Sequence, residues 1–260
     1  MARLRFFVGI TGASGHLYAE RLVQELVRAG CDVDLCATDA GCKVLRHERG
    51  IDAGARGERL AEQLASWLGA DVAEHVRAFR SDEIEARAAS GTSLTGGVIV
   101  APCSMGTLAR VSAGFSSNLV ERAADVALKE GRRLLLMPRE APFSIIHLEN
   151  MLRVARLGGI IVPCAPGFYH LPSTIDDLVV HVVGKVLDRL EVPHTLGKRW
   201  QGLPEPPPEP GTEPPQGTLR GTPTGSLPGA PTGSLPGTLP GTPTGTLPGT
   251  LPAPAEGGRP

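Results

Sequence analysis

Leu4-Arg-Phe-Phe-Val-Gly-Ile-Thr-Gly-Ala-Ser-Gly15 begins as an apolar run and ends as a glycine loop. Leu4–Ile10 reads as a strand. The loop through Gly9, Gly12 and Gly15 then opens an amphipathic helix from about Leu17 to Ala29, and Gly30 sits where a helix stop belongs. Glycines at such a turn let backbone N–H groups approach a phosphate, and the helix N-terminus adds partial positive charge. The same glycines suit a plain tight turn. By itself the loop fits NAD(P), FMN or a nucleotide.

The alternation continues outward from this unit. Val33–Thr38 reads as the second strand, residues 40–47 and 57–68 as helices, and Val76–Phe79 as a short strand. Gly97–Ala101 is a further buried strand, followed by a helix after Pro102. Leu119–Glu130 is a helix, Leu134–Met137 a strand, Ile145–Leu157 a helix and Ile160–Val162 a strand. Ile175–Leu190 is the last helix, with Asp176 and Asp177 near its positive end. Strands alternating with helices predict an α/β fold: a parallel sheet with helices on both faces, three layers in all. Ligands of such sheets bind outside the carboxyl ends of the strands.

The last 58 residues differ in kind. Seventeen of the 24 prolines and 12 of the 33 glycines fall in 203–260, half of that stretch, and none of its residues is aromatic. Glycine recurs every fourth residue from Gly217 to Gly249, in tetrapeptides such as GTLP and GTPT. That period is neither collagen's three nor a solenoid's. The reading is one folded domain over 1–202 and a disordered low-complexity tail over 203–260. Without the tail the charges are 24 basic and 23 acidic, so no bulk field draws nucleic acid or anionic lipid. No apolar run approaches the roughly 20 residues that span a bilayer. Five cysteines without a Cys-x-x-Cys pair predict thiols of a reducing compartment, not a disulfide framework or a zinc site. The expected location is cytoplasmic.

The strand ends concentrate polar chemistry. The second closes on Thr38-Asp39, where an acid grips a ribose or a hydroxyl meets a phosphate. The fourth closes on Pro102-Cys-Ser104-Met105-Gly106-Thr107, whose hydroxyls can cap a helix or bind a ligand edge. The fifth closes on Pro138-Arg139-Glu140-Ala-Pro142, an anion-binding side chain beside a proton shuttle. The last closes on Pro166-Gly-Phe-Tyr169-His170. Phosphate-type donors at five strand ends point to one shared site.

These motifs resemble the flavin prenyltransferases of the UbiX type. Thr11-Gly-Ala-Ser-Gly15, Pro102-Cys-Ser104, Glu121-Arg-Ala-Ala-Asp-Val-Ala-Leu-Lys-Glu130, Pro138-Arg-Glu-Ala-Pro142, Ile146-His-Leu-Glu-Asn-Met151 and Pro166-Gly-Phe-Tyr-His170 carry the likeness, in order, from about Arg5 to Trp200. The resemblance implies a Rossmann-like or flavodoxin-like subunit that binds FMN and needs no metal. It implies transfer of a dimethylallyl group from dimethylallyl monophosphate to N5 and then C6 of reduced FMN. The product serves a UbiD-type decarboxylase, and family members assemble as homododecamers with sites at subunit interfaces. Carried over by residue, Gly12, Ala13, Ser14, Thr38, Ser104, Met105, Gly106, Thr107 and Arg122 would bind FMN, with Ser14 near the reacting nitrogen. Lys129, Arg139, Tyr169 and Lys185 would bind the prenyl phosphate, and Trp200 would pack over the prenyl pocket. Glu140 would act as acid–base partner of the departing phosphate, and Glu48 would assist proton removal in ring closure. Lys185 stands where the family more usually has arginine, and Arg46-His-Glu-Arg-Gly50 departs from the usual sequence around Glu48.

The chemistry suits that set. Breaking an allylic C–O bond puts positive charge on carbon and negative charge on phosphate, which Lys129, Arg139 and Lys185 would stabilise. Two other readings share the fold. An FMN-dependent cysteine decarboxylase leaves the second cationic set unexplained. An NAD(P) oxidoreductase would want a Tyr-x-x-x-Lys pair, and neither Tyr18 nor Tyr169 has lysine four residues on.

Overall fold

The computed structural model describes residues 3–87, 90 and 95–197. Trp200 and the tail expected over 203–260 lie outside the described residues.

Six strands form one sheet: β1 (Arg5–Ile10), β2 (Asp32–Ala37), β3 (Val76–Phe79), β4 (Gly97–Cys103), β5 (Leu134–Pro138) and β6 (Ile160–Ile161). Every neighbouring pair is parallel, and the order is β3-β2-β1-β4-β5-β6. The chain builds outward from β1 to β3, then returns to the other side of β1 and builds outward again. The reversal between β1 and β4 leaves a crevice at their carboxyl ends, the position where such sheets hold ligands.

Strand alternation feeds two cores. Phe6, Val8 and Ile10 face one side, where they meet α1 (His16–Arg28), α2 (Asp39–Arg49), α3 (Leu60–Leu68) and α8 (Ile175–Leu190). Phe7 faces the other, with Val98, Val100, Leu134 and Leu136 against α5 (Met105–Ser112), α6 (Leu119–Lys129) and Val154 of α7 (Ile145–Arg156). The three-layer expectation therefore holds. Among the described residues no helix is long and apolar enough to cross a membrane, and all five cysteines are free thiols.

Some boundaries differ for local reasons. The helix expected from residue 57 begins at Leu60. Gly57 has φ +86°, and the Glu58 carboxylate accepts the N–H groups of Ala55 and Arg56 at 3.0 and 2.8 Å, closing a turn instead of a helical one. A one-turn helix, α4 (Ala70–Ala73), follows α3 unannounced by any pattern. β4 runs on through Pro102 to Cys103, because its register with β5 shifts between Val100 and Cys103. A proline is tolerated inside a strand at such an irregularity.

Candidate active site

The crevice at the strand-order reversal is a cleft of about 490 Å³. Gly12, Thr38, Ser104 and Thr107 line it, as the sequence predicts, together with Asp39, Ala40, Arg56, Ser81, Asp82, Arg110, Ser117 and Asn118. Gly12 is required there by space: a Cβ would stand 2.7 Å from that of Ala40. Two helices begin at this wall. The Thr38 hydroxyl accepts the Gly41 N–H at 3.1 Å and caps α2. Ser104 caps α5 by accepting the Thr107 N–H at 3.3 Å, and its hydroxyl lies 3.1 Å from that of Thr107. Thr11 ties β1 to β4 from below: its hydroxyl donates to the Pro102 carbonyl at 2.7 Å and accepts the Ser104 N–H at 2.8 Å.

The far wall was not legible in the sequence. Glu121 of α6 is fully buried and accepts from the Arg110 guanidinium, the Ser117 N–H and the Asn118 amide, the last two at 2.9 Å. It thereby fixes Arg110 at the cleft. Arg56 pairs with Asp82 at 3.2 Å, and Ser81 donates to Asp39 at 2.9 Å. Only Asn118 had a readable signal, as a polar cap before the apolar repeat of α6; the rest depend on long-range approach. Ala13, Met105, Gly106 and Arg122 are not among the lining residues. Ala13 and Met105 are buried, Gly106 is exposed, and Arg122 pairs with Asp125 at 3.5 Å.

A second cluster forms beside the glycine loop. Gly15, the residue before α1, has φ +108° and no side chain with which to cap the helix. Glu48 of α2 does so from outside, accepting the Gly15 N–H at 3.0 Å and the His16 N–H at 2.9 Å. It also bonds the Ser14 side chain. Partial burial works against charge on Glu48, but the Ser14 hydroxyl and the two N–H groups outweigh it and hold the carboxyl below its ordinary range. Arg139 arrives from the end of β5, its Nε donating to the Ser14 carbonyl at 3.1 Å. Ser14, Glu48 and Arg139 are thus one cluster, although 125 residues separate its ends.

The remaining predicted residues have hydrogen-bond or ion-pair partners of their own or stand exposed. Glu140 is exposed, and its carboxylate accepts the Ala141 N–H at 3.0 Å. Tyr169 is half-exposed and meets His181 of α8, oxygen to Nε2, at 2.9 Å. The Gly167 N–H donates to His181 Nδ1 at 3.2 Å, so neutral His181 carries its hydrogen on Nε2 and donates it to the phenol oxygen. Lys185 is exposed one turn further along α8. Lys129 closes α6 and pairs with Glu130 at 3.2 Å, while Asp125, one turn back on the same helix, pairs with Arg122. α6 begins at the cleft and leads into the amino end of β5, so Lys129 lies about 16 Å from the cleft along the helix axis. Thiol chemistry finds no support: burial pushes the Cys103 and Cys164 thiols up to about 12. Among the described residues no group of three or more acidic, histidine or cysteine side chains is placed to hold a metal.

Residues 1–187 match the Flavoprotein family model. The chain is 48% identical over 195 residues to a flavin prenyltransferase UbiX of Halalkalibacterium halodurans, covering 75% of this chain and 92% of that one. It is 43% identical over 196 residues to that of Pseudomonas aeruginosa, with coverage of 75% and 93%. Among solved structures, it superposes with a TM-score of 0.67 on a dodecameric FMN-dependent UbiX-like decarboxylase from Escherichia coli O157:H7, at 40% identity over 76% of this chain and all of that one. An equal TM-score, at 33% identity over 78% of this chain and all of the other, relates it to AnUbiX (PadA1) in complex with FMN and dimethylallyl pyrophosphate. With these matches and the crevice at the β1/β4 reversal, the chain belongs to the UbiX-type flavin prenyltransferase family of flavoproteins.

Proposed function

We propose that this flavin prenyltransferase moves a dimethylallyl group from dimethylallyl monophosphate to N5 and C6 of reduced FMN, with the work divided between its two clusters. The observation that carries the division is the Ser14–Glu48–Arg139 cluster standing beside a separate, hydroxyl-lined cleft of flavin size. The cleft fits FMN by its chemistry: a glycine where a Cβ would collide, two capped helix starts and hydroxyls at three strand ends. Gly12, Ala13, Thr38, Ser104 to Thr107 and Arg122 hold the flavin in this reading, and Arg110 joins them. Bound reduced FMN supplies the two nucleophilic ring positions.

The protein's own groups handle charge and protons. Arg139 presents a guanidinium to the leaving phosphate, and Tyr169 presents a phenol held in place by His181. Glu140 gives a proton to the phosphate or takes one from it. Lys185 adds charge from α8. Lys129 cannot join Arg139 within one protomer, so it serves the site of a neighbouring copy, and the active form is a homo-oligomer, a dodecamer as in the Escherichia coli relative. The product goes to a UbiD-type decarboxylase, and the setting is cytoplasmic.

The test is anaerobic incubation of the full chain with reduced FMN and dimethylallyl monophosphate, followed by the mass of the extracted flavin. A flavin heavier by one prenyl unit is expected. Bound but unaltered FMN would favour the cysteine decarboxylase reading, and cysteinyl substrates would then be tried. Substituting the pyrophosphate for the monophosphate measures which donor the phosphate set accepts.

A further inference from the structure

His16, the first residue of α1, is fully buried. Its Nε2 lies 3.2 Å from the Thr11 carbonyl oxygen. A carbonyl only accepts, so Nε2 carries the hydrogen of the neutral ring. That leaves Nδ1 as a buried lone pair with no hydrogen-bond partner. Across from it, at 3.8 Å, stands Oε2 of Glu48. Glu48 is ionised by the donors gathered on it: the Gly15 and His16 N–H groups and the Ser14 side chain. Two acceptors therefore face each other in a buried place with no hydrogen between them. An unsatisfied buried acceptor is costly. Adding one proton to the ring removes the conflict, because an imidazolium at 3.8 Å then forms an ion pair with the carboxylate.

We propose that His16 is the proton acceptor behind Glu48, completing a Ser14–Glu48–His16 relay for the proton released when the flavin's new ring closes. This rests on the role given to Glu48 in the proposed reaction. The C–H electron pair stays with the flavin, and the proton forms a bond to a Glu48 oxygen. That O–H bond then breaks, its electrons return to the carboxylate, and the Nδ1 lone pair takes the proton. The product is an imidazolium facing a carboxylate, with Nε2–H still on Thr11. His16 acts through Glu48 and does not touch the reacting atoms.

The surroundings set the direction of travel. Burial is the largest influence on the ring and lowers its proton affinity, so His16 begins neutral. The Thr11 carbonyl from the loop after β1, the Glu48 carboxylate and the Val44 carbonyl from α2 pull the other way. From the end of β5, the Arg139 guanidinium reaches the Ser14 carbonyl and adds positive charge to the cluster. The proton is accepted only while Glu48 is present to pair with it, and burial returns it to water when the product leaves.

Two measurements on the full-length protein test this. The first needs no flavin: nitrogen NMR of histidine-labelled protein, with the His16 signals assigned by their loss in His16→Gln. The expected ring is the Nε2–H tautomer at neutral pH, and Glu48→Gln should move its titration midpoint to lower pH. A midpoint unmoved by Glu48→Gln overturns the relay. The second follows the anaerobic reaction by rapid-mixing absorbance, which changes when closure removes the aromaticity of the flavin's benzenoid ring. His16→Phe should slow closure relative to the first alkylation by about tenfold or more, and should flatten its pH profile. Equal slowing of both steps, the mark of a packing defect, overturns the proposal, as does unchanged closure. Absence of alkylation in the unaltered protein overturns the reaction itself and the relay with it. The NMR coupling would then stand as a property of the fold alone, so the two failures are distinguishable.

Discussion

α6 and α7 lie on the same face of the sheet and treat their apolar residues in opposite ways. α6 buries Leu119, Val120, Ala123, Ala124, Val126 and Ala127, along with Glu121. α7 is one residue longer and buries Val154 alone. Ile145, Ile146, Leu148 and Leu152 stay exposed along it, with Phe143 before it and Leu157 after it. Scattered exposed apolar side chains are ordinary; a run of them on one helix marks a surface that meets something. The protomer's own core accounts for α6 but not for the apolar pattern of α7. The same division runs through the candidate site. The near end of α6 builds the cleft wall, whereas its far end carries Lys129 away from Arg139. Both features follow if the protomer is complete as a fold and incomplete as a site.

The largest expected effect tests the α6 half of the contrast. Leu119 is fully buried, so Leu119→Ala should cost about 2–5 kcal/mol in denaturant unfolding, the same at every protein concentration. Leu148→Asp on α7 should change the stability of the isolated protomer by only about 0.5 kcal/mol. It should instead lower the assembled mass seen by light scattering and take activity with it. If Leu148→Asp unfolds the protomer as Leu119→Ala does, α7 belongs to the protomer's core and the comparison breaks.

A smaller effect sharpens the claim about the site. Lys129→Ala and Arg139→Ala should each weaken use of the prenyl phosphate by about 1.5–3 kcal/mol, the worth of a hydrogen bond to a charged group. FMN binding, measured by flavin fluorescence, should be unaffected by Lys129→Ala. Co-expressing the two variant chains should then recover about a quarter of full activity, because random mixing restores one intact pairing of subunits in four. No recovery would place both residues in the same protomer's site or remove one of them from it.

What could be read from sequence follows the same line. The strands were legible to within two residues, because strands buried on both faces are continuous apolar runs such as Phe6–Ile10 and Leu134–Met137. Helix α6 was legible because its own core imposes the periodicity. The near cleft wall was legible because Gly12, Thr38 and Ser104 follow directly on strands, where local order fixes their place. Arg110, His16 and His181 carry no such signal, since each takes its role from a partner on another element: Glu121, Glu48 and Tyr169. The helix start expected at residue 57 failed for a related reason, a carboxylate at Glu58 binding the loop before it.

The smallest effect concerns the loop between β6 and α8, which carries Tyr169 and leaves Phe168 and Leu171 exposed, with Ile175 exposed at the start of α8. In exposure this loop resembles α7, yet it is anchored by the protomer's own bonds. Thr174 caps α8 by accepting the Asp177 N–H at 3.1 Å, and Asp177 accepts the Thr174 and Ser173 N–H groups, both at 2.9 Å. The Ser173 N–H is the largest influence on the Asp177 carboxyl, which together with the Thr174 and Ser173 groups is held at about 2, down from 3.8. A carboxyl depressed on folding contributes stability above its unfolded value and loses it as pH falls through the folded one. The Asp177 contribution is therefore complete above about pH 4 and lost toward about pH 2. Asp177→Asn should lower Tm slightly at neutral pH and flatten its fall over that window, in assembled protein and in the Leu148→Asp background alike. If the difference appears only in the assembled form, the loop is ordered by a neighbour, and Tyr169 then belongs with α7, on the side of the molecule that a second copy completes.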